Sequence, residues 1–360
     1  MSHTRPLREL RRSDAAEYGG KSANLGELLS LGLAVPAGFA IAASAFRSFV
    51  ETTGLDGTIT AAMRRASTGS VDDGAAAANA IGEAVRSAPL PVELLAELAR
   101  RTDELARDAG GGHPPVAVRS SAIGEDSEDA TFAGQQESFL WLRGPEQIGE
   151  AVRDCWASLY TPRAISYRAA LGAADQDPAM GVTVQVMVDA DVSGVLFTCN
   201  PVSGDPSVVA IDASFGLGTA VVGGEITPDH YLVSKVTGEL VRRAVHDKHV
   251  EHVPDPSGRG TARREVPPGR REAPCLDEQA LAALVDVARR VEAHFGGHQD
   301  VEWALGRGRS AAAEVQVLQA RPVTTLPERT PAPAGSAVSL MLSTFGASPE
   351  TPDRPRDRCR

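Results

Sequence analysis

Residues 116–137 restrict what this chain can fold into more than any other stretch. Val116, Ala117 and Val118 read as a short apolar strand that delivers Arg119, Ser120 and Ser121 into a loop of small and acidic residues. A strand ending in Arg-Ser-Ser is suited to holding phosphate oxygens. Guanidinium offers a rigid fork of donors, and the serine hydroxyls add more. The bland alternative for Arg119 is a structural ion pair with Glu125 or Asp126. Phe132-Ala133-Gly134-Gln135-Gln136 follows as a Gly-centred element able to close over a bound group.

A second signal lies at Gly19-Gly20-Lys21-Ser22, just before a helical stretch at 22–31 with Leu25, Leu28 and Leu29 on one face. Glycines let backbone N–H groups approach an anion, and a helix N-terminus favours negative charge. The stretch is not a Walker A loop, which would need Gly where Ala15 stands. The competing reading is a Gly-rich turn with a solvated lysine.

The rest of the chain reads as alternating helical and extended segments. Ser44 is placed to cap a helix through Val50, and residues 59–109 read as an Ala-rich helical packing layer. A further helix is expected over 146–170. Strands are expected at 182–188 and 194–197, flanking a turn at Asp189-Ala190-Asp191, and at 208–211. Tyr231–Ser234 and Leu240–Val241 read as a hairpin around Thr237-Gly238. Residues 254–274, rich in Pro, Gly and Arg, read as an exposed loop. An amphipathic helix spans 277–295, and 315–318 is a closing strand. Gln319 and Arg321 alternate about Ala320, so both face one side of that strand.

A chain of 360 residues is too long for one simple core and implies two or three lobes. We expect an N-terminal lobe over 1–180, a β-rich lobe over 181–327 and a flexible tail or linker stub over 328–360. The formal net charge of −11 argues against nucleic acid and against an anionic membrane surface as partners. An anionic ligand must therefore be met by a local cluster of cations. Cys155, Cys199, Cys275 and Cys359 are scattered, with no Cys-x-x-Cys pair to suggest zinc or a disulfide framework. The apolar window from Leu31 to Phe46 is broken by Gly32, Pro36 and Gly38 and is too short to cross a bilayer. The start lacks a secretion signal, so the cytoplasm is the expected compartment.

The 116–137 stretch resembles the ATP-binding domain shared by phosphoenolpyruvate synthase, pyruvate phosphate dikinase and rifampin phosphotransferase. Tyr18–Glu27, Val35–Phe39, Ser193–Thr198, Phe215–Gly218, Thr227–Asp229, Asp300–Trp303 and Gln319–Pro322 match that family's motifs in order, over roughly residues 15–325. The resemblance implies an α+β fold of ATP-grasp type, with ATP and Mg2+ in a cleft between a helix-rich N-terminal lobe and a β-rich C-terminal lobe. It implies that Gly20, Lys21, Arg119, Gly134, Gln135 and Arg321 bind the nucleotide. Lys21, Arg119 and Arg321 would also serve catalysis by neutralising phosphate charge. The strand Gln185-Val186-Met187-Val188 would be the hinge against which adenine lies, and Glu302 and Gln319 the metal ligands.

Two departures stand out. The family commonly has Glu where this chain has Thr219, and Glu225 is the nearby carboxylate that stands as the candidate substitute. None of the eight histidines sits in the Thr-Ser-His motif of the family's phosphorylatable histidine. The resemblance therefore implies a phosphotransferase component that works with a separate chain carrying that histidine and the substrate-binding domain. The alternatives are a non-catalytic ATP-binding protein and the ATP-binding part of a rifampin-modifying enzyme. Asn200-Pro201-Val202-Ser203-Gly204 and Phe295–Leu305 lean toward the latter.

Overall fold

The computed structural model describes residues 2–68, 71–123, 137–165, 180–308 and 315–323. Two antiparallel sheets organise the chain. The first has the order β1-β2-β5-β3-β4 and the second β13-β12-β6-β7-β8-β9. In the first sheet β1 is Thr4–Pro6, β2 Gly38–Ile41, β3 Val116–Ala122, β4 Ser138–Leu142 and β5 Met180–Val186. In the second, β6 is Ala190–Phe197, β7 Val208–Phe215, β8 Asp229–Ser234, β9 Leu240–Ala244, β12 Gln299–Gly306 and β13 Gln316–Pro322. A separate hairpin pairs β10, Val250–Pro254, with β11, Thr261–Glu265.

The helices fall largely to the first lobe: α1 (Ala15–Tyr18), α2 (Gly20–Ser30), α3 (Ala43–Thr53), α4 (Asp56–Thr68), α5 (Val71–Ser87), α6 (Val92–Asp108) and α7 (Gly144–Ala157). The second lobe adds the short α8 (Thr219–Val222) and α9 (Pro268–Arg271), and α10 (Glu278–Phe295). The expected two-lobed α+β architecture is thus what the chain adopts.

Each sheet has its own core. Phe46, Phe49 and Trp156 from α3 and α7 meet Ile41, Val118 and Val184 of the first sheet. Trp303, Leu196 and Ile211 of the second sheet meet Leu284 and Val291 of α10. Helix α10 begins where the Asp277 side chain accepts the Ala280 N–H at 2.8 Å, and ends at Gly296 in the left-handed region. Leu25 and Leu28 of α2 belong to the second core, although α2 lies in sequence between strands β1 and β2 of the first sheet. Helix α2 is therefore shared between the lobes.

Several elements differ from the sequence expectation. Ser44 does not cap α3: the cap position is Ala42, with no side-chain bond, and the Ser44 N–H donates to Glu17. Helix α7 ends at Ala157 and tightens into a 3-10 turn at Ser158–Tyr160, and helix resumes at 162–165; the rest of the stretch expected to be helical lies outside the described residues. The two strands about residue 189 are not a hairpin. β5 lies in the first sheet and β6 in the second, so Met187-Val188-Asp189 carries the chain across. The region 254–274 is not an irregular loop. It closes a hairpin, 250–265, and then forms α9. Among the described residues no helix is long and apolar enough to cross a membrane.

Candidate functional site

Between the sheets lies a cavity of about 630 Å³. Strands β3, β4 and β5 line one wall, β6, β12 and β13 the other, with the 187–188 crossover between them. Lys21, Arg119, Gln185, Met187, Val188, Glu302, Gln319 and Arg321, which span 300 residues of sequence, all reach this one cavity. Gly20 opens α2 but is not among the lining residues. Gly134 and Gln135 lie outside the described residues, as do Glu125 and Asp126.

Lys21 is carried in by the first turn of α2. It is buried, 7% exposed, which rules out the solvated-lysine reading, and its Nζ donates to the Ser120 carbonyl at 2.7 Å. Gly19 makes this approach possible. At φ 78° it turns the chain into α2, and a Cβ there would stand 2.2 Å from the Ser121 carbonyl oxygen. The first glycine therefore serves the contact between α2 and β3.

Arg119 points across the cavity. Its Nη1 lies 3.7 Å from Glu302 Oε2 and 3.4 Å from the Leu318 carbonyl. Glu302 and Gln319 are direct cross-strand partners on β12 and β13, so their side chains share one face about 5 Å apart. The next pair along the same face is Asp300 and Arg321, joined by two bonds of 2.8 and 2.9 Å to Asp300 Oδ2. Burial pushes the Asp300 carboxyl above its usual range, Arg321 opposes that push, and Glu302 adds to it. One end of the cavity is thus a cationic and carboxylate cluster.

The other end is apolar. Met187, Val188 and Leu318 pack with Trp141, Ala190, Leu217 and Ala304. The Met187 N–H is committed to the Pro115 carbonyl at 2.8 Å. A planar base at the crossover would therefore read the Met187 carbonyl and Val188, not the Met187 N–H. Beside this slot the Gln185 amide is 2% exposed, and its Nε2 has no partner among the described residues. A buried donor left unpaired costs about 1–3 kcal/mol, so the cavity suits an acceptor placed there.

A divalent cation fits the donor set at the polar end in a limited way. Glu302 and Gln319 offer two side-chain oxygens on facing strands, the hard-donor chemistry magnesium takes. No group of three or more His, Cys, Asp or Glu among the described residues could hold a metal alone. The remaining ligands would have to be phosphate oxygens and water.

The sequence reading missed His252 and Arg263. Thr219 lines the cavity, and its Oγ1 is 2.8 Å from His252 Nδ1. His252 Nε2 is 2.8 Å from Glu225 Oε2, and Arg263 Nε donates to Glu225 Oε1 at 2.6 Å. His252 and Arg263 are cross-strand partners in the β10–β11 hairpin, the segment read as a loop. Their only sequence signal was the unexplained Thr219.

Comparison with known proteins gives the chain a family. The profile of the family described as pyruvate phosphate dikinase, AMP/ATP-binding domain, matches residues 15–340. The chain is 37% identical over 341 residues to a probable phosphoenolpyruvate synthase of Methanothermobacter thermautotrophicus, covering 95% of this chain and 49% of that protein. It is 34% identical over 381 residues to the phosphoenolpyruvate synthase of Pyrococcus furiosus, covering 95% and 46%. It is 38% identical over 327 residues to a rifampicin phosphotransferase of Streptomyces sp., covering 90% and 36%. The chain spans half the length, or less, of these three relatives.

Proposed function

Because the chain belongs to the pyruvate phosphate dikinase AMP/ATP-binding domain family, we propose that its interlobe cavity binds ATP and runs the ATP half of a dikinase reaction. The observation that carries this reading is the convergence of Lys21, Arg119, Arg321, Glu302 and Gln319 at one end of a cavity whose other end is an apolar slot. A nucleotide has that same polarity, a planar base at one end and a polyanion at the other.

In this reading adenine lies in the ATP-grasp-type cleft against Met187 and Val188, with Gln185 meeting an acceptor on the base. Lys21, Arg119 and Arg321 neutralise the phosphates. Glu302 and Gln319 would hold magnesium, which would supply further neutralisation of the phosphate charge. The acceptor is a histidine on a separate chain that also carries the substrate-binding domain. The greater length of the relatives supports such additional parts. Its ring nitrogen forms a bond to the β-phosphorus as the bond from β-phosphorus to the α–β bridging oxygen breaks, and AMP leaves. A water then takes the γ-phosphoryl as inorganic phosphate, leaving phosphohistidine. This chain's part is positioning and electrostatics, and the work is done in the cytoplasm.

The test is calorimetry with ATP and magnesium, followed by an assay for AMP with a partner chain bearing the histidine. Lys21→Ala should weaken ATP binding or AMP formation about ten- to hundred-fold, the value of one charge-assisted hydrogen bond. No ATP binding by the intact chain rejects the reading. Binding without AMP would mark the chain as a non-catalytic binder. The Streptomyces relative favours a second reading, the same half-reaction serving an antibiotic-modifying enzyme, which phosphorylation of a rifamycin by the reconstituted system would reveal.

A further inference from the structure

The hydrogen-bonded chain Thr219–His252–Glu225–Arg263 takes no part in the reaction outlined above, yet one end of it lines the cavity. Its position can be measured along β6, which runs the length of the site. Met187 and Val188 lie just before its first residue, Ala190. Ser193 comes next on the cavity side, followed by Val195, the partner of Glu302, and Phe197, the partner of Asp300. At about 3.3 Å per residue, Ser193 stands roughly 7 Å from the Glu302 level and about 10 Å from Ala190. Ser193 is also where the Thr219 segment docks. Its hydroxyl donates to the Gly216 carbonyl at 2.6 Å, and a Cβ on Gly218 would lie 3.6 Å from it. Thr219 therefore stands between the apolar slot and the charged cluster.

The hairpin holds that segment in place. The Leu217 N–H donates to the His252 carbonyl at 2.8 Å, and Gly216, at φ 74°, would bring a Cβ within 2.4 Å of that carbonyl oxygen. The polarity of the chain follows from its far end. Arg263, and then His252, hold the Glu225 carboxyl below its usual range, so it is an acceptor only. His252 must then carry hydrogen on Nε2. In a neutral imidazole Nδ1 is left as an acceptor, the Thr219 hydroxyl donates to it, and the threonine oxygen is left to accept from the ligand.

The geometry points to Thr219 as the acceptor of a ribose hydroxyl, with His252 and Glu225 as positioning residues that fix its polarity. This rests on the nucleotide reading of the cavity and adds the recognition of the sugar. A neutral acceptor also accounts for the absence of a carboxylate at this position, since a hydroxyl donor needs a lone pair and not a charge.

The experiment compares binding of ATP, 2′-deoxy-ATP and 3′-deoxy-ATP to the intact chain, in mildly alkaline buffer where free imidazole is neutral. The wild type should prefer ATP over at least one deoxy analogue by about tenfold. Thr219→Val should erase the preference by weakening ATP alone, and Thr219→Ser should restore it. Glu225→Ala should diminish the preference roughly two- to threefold while leaving affinity for the deoxy analogue unchanged. Equal binding of all three nucleotides by the wild type, or an undiminished preference in Thr219→Val, overturns the proposal and leaves the ATP site standing. Failure to bind any of the three overturns both.

Discussion

Replacing Glu302 by Gln should move ATP affinity in opposite directions with and without magnesium. Glu302 stands 3.7 Å from Arg119 and directly opposite Gln319. Without metal its carboxylate faces an incoming polyanion. Two unit charges about 6 Å apart at an effective dielectric of about 20 interact by roughly 3 kcal/mol. The Glu302 side chain is 30% exposed, and solvent screening brings this down to about 1–1.5 kcal/mol. The substitution removes that repulsion and frees Arg119, so metal-free ATP should bind about tenfold more tightly. With magnesium the same change removes a charged ligand worth about 1.5–3 kcal/mol, and affinity should fall about ten- to hundred-fold. Calorimetry in EDTA and in excess magnesium reads both signs in one protein. A loss of affinity in both buffers would show that Glu302 is no metal ligand but a brace for Arg119, and the assignment would fail.

Gln185→Leu should cost about tenfold in ATP affinity while leaving thermal stability equal or higher, because it removes a buried donor that has no partner among the described residues; a loss of stability would contradict this. Lys248→Met should destabilise the second lobe by about 3–5 kcal/mol in urea unfolding, since it strands the fully buried Asp229 carboxylate that Lys248 contacts at 2.6 Å. Glu97 anchors β1 by accepting from Ser2, His3 and Thr4. Burial opposes its ionisation, but those hydrogen bonds outweigh burial and hold its carboxyl below the usual range. The folded form thus binds the Glu97 proton less tightly than the unfolded chain does. Its contribution is present above the unfolded carboxylate pKa and lost as pH falls through the lower folded value, so Glu97→Gln should flatten the acid limb of a stability–pH curve.

The polar end of the site was legible in the sequence because its residues sit in motifs whose chemistry is local. Arg119 follows an apolar strand, Lys21 opens a helix, and Gln319 and Arg321 alternate on a strand. What the sequence could not say is who stands opposite whom. Nothing in Gln185 to Phe197 shows that β5 and β6 belong to different sheets, because periodicity reports burial and not partners. The β10–β11 hairpin was illegible for a different reason. Strand β11 reads Thr-Ala-Arg-Arg-Glu and is largely exposed, so it lacks the alternation that marks a half-buried strand. Its neighbours Pro254, Gly258, Gly260 and Pro267 signal turns. The strand is held by its ladder to β10 and by ion pairs such as Arg264 with Glu251, neither of which has a signature in a single sequence.

That hairpin also lies at one of the places where the lobes are joined. On the α2 side the two lobes share a core. Leu25 and Leu28 pack with Trp303 and Val317, the Asn24 amide donates to the Ala320 carbonyl at 3.1 Å, and the Val317 N–H donates to the Ala34 carbonyl at 2.8 Å. Parting the lobes there would expose apolar side chains worth about 1.5–3 kcal/mol each. On the hairpin side Trp141 packs against Ala190, Leu217 and Ala304, and the polar ties beside it are weak. The Gly260 N–H reaches the Trp141 carbonyl at 3.2 Å, and Arg259 meets Glu150 at 2.8 Å with both side chains about half exposed. An exposed ion pair contributes about 0–1 kcal/mol and a single net hydrogen bond about 1 kcal/mol. Parting the lobes there would also uncover Trp141, which is 6% exposed and packs against those second-lobe residues. Leu217 is in turn bonded to the His252 carbonyl, so the hairpin that orients Thr219 is tied to the apolar contact that joins the lobes on this side.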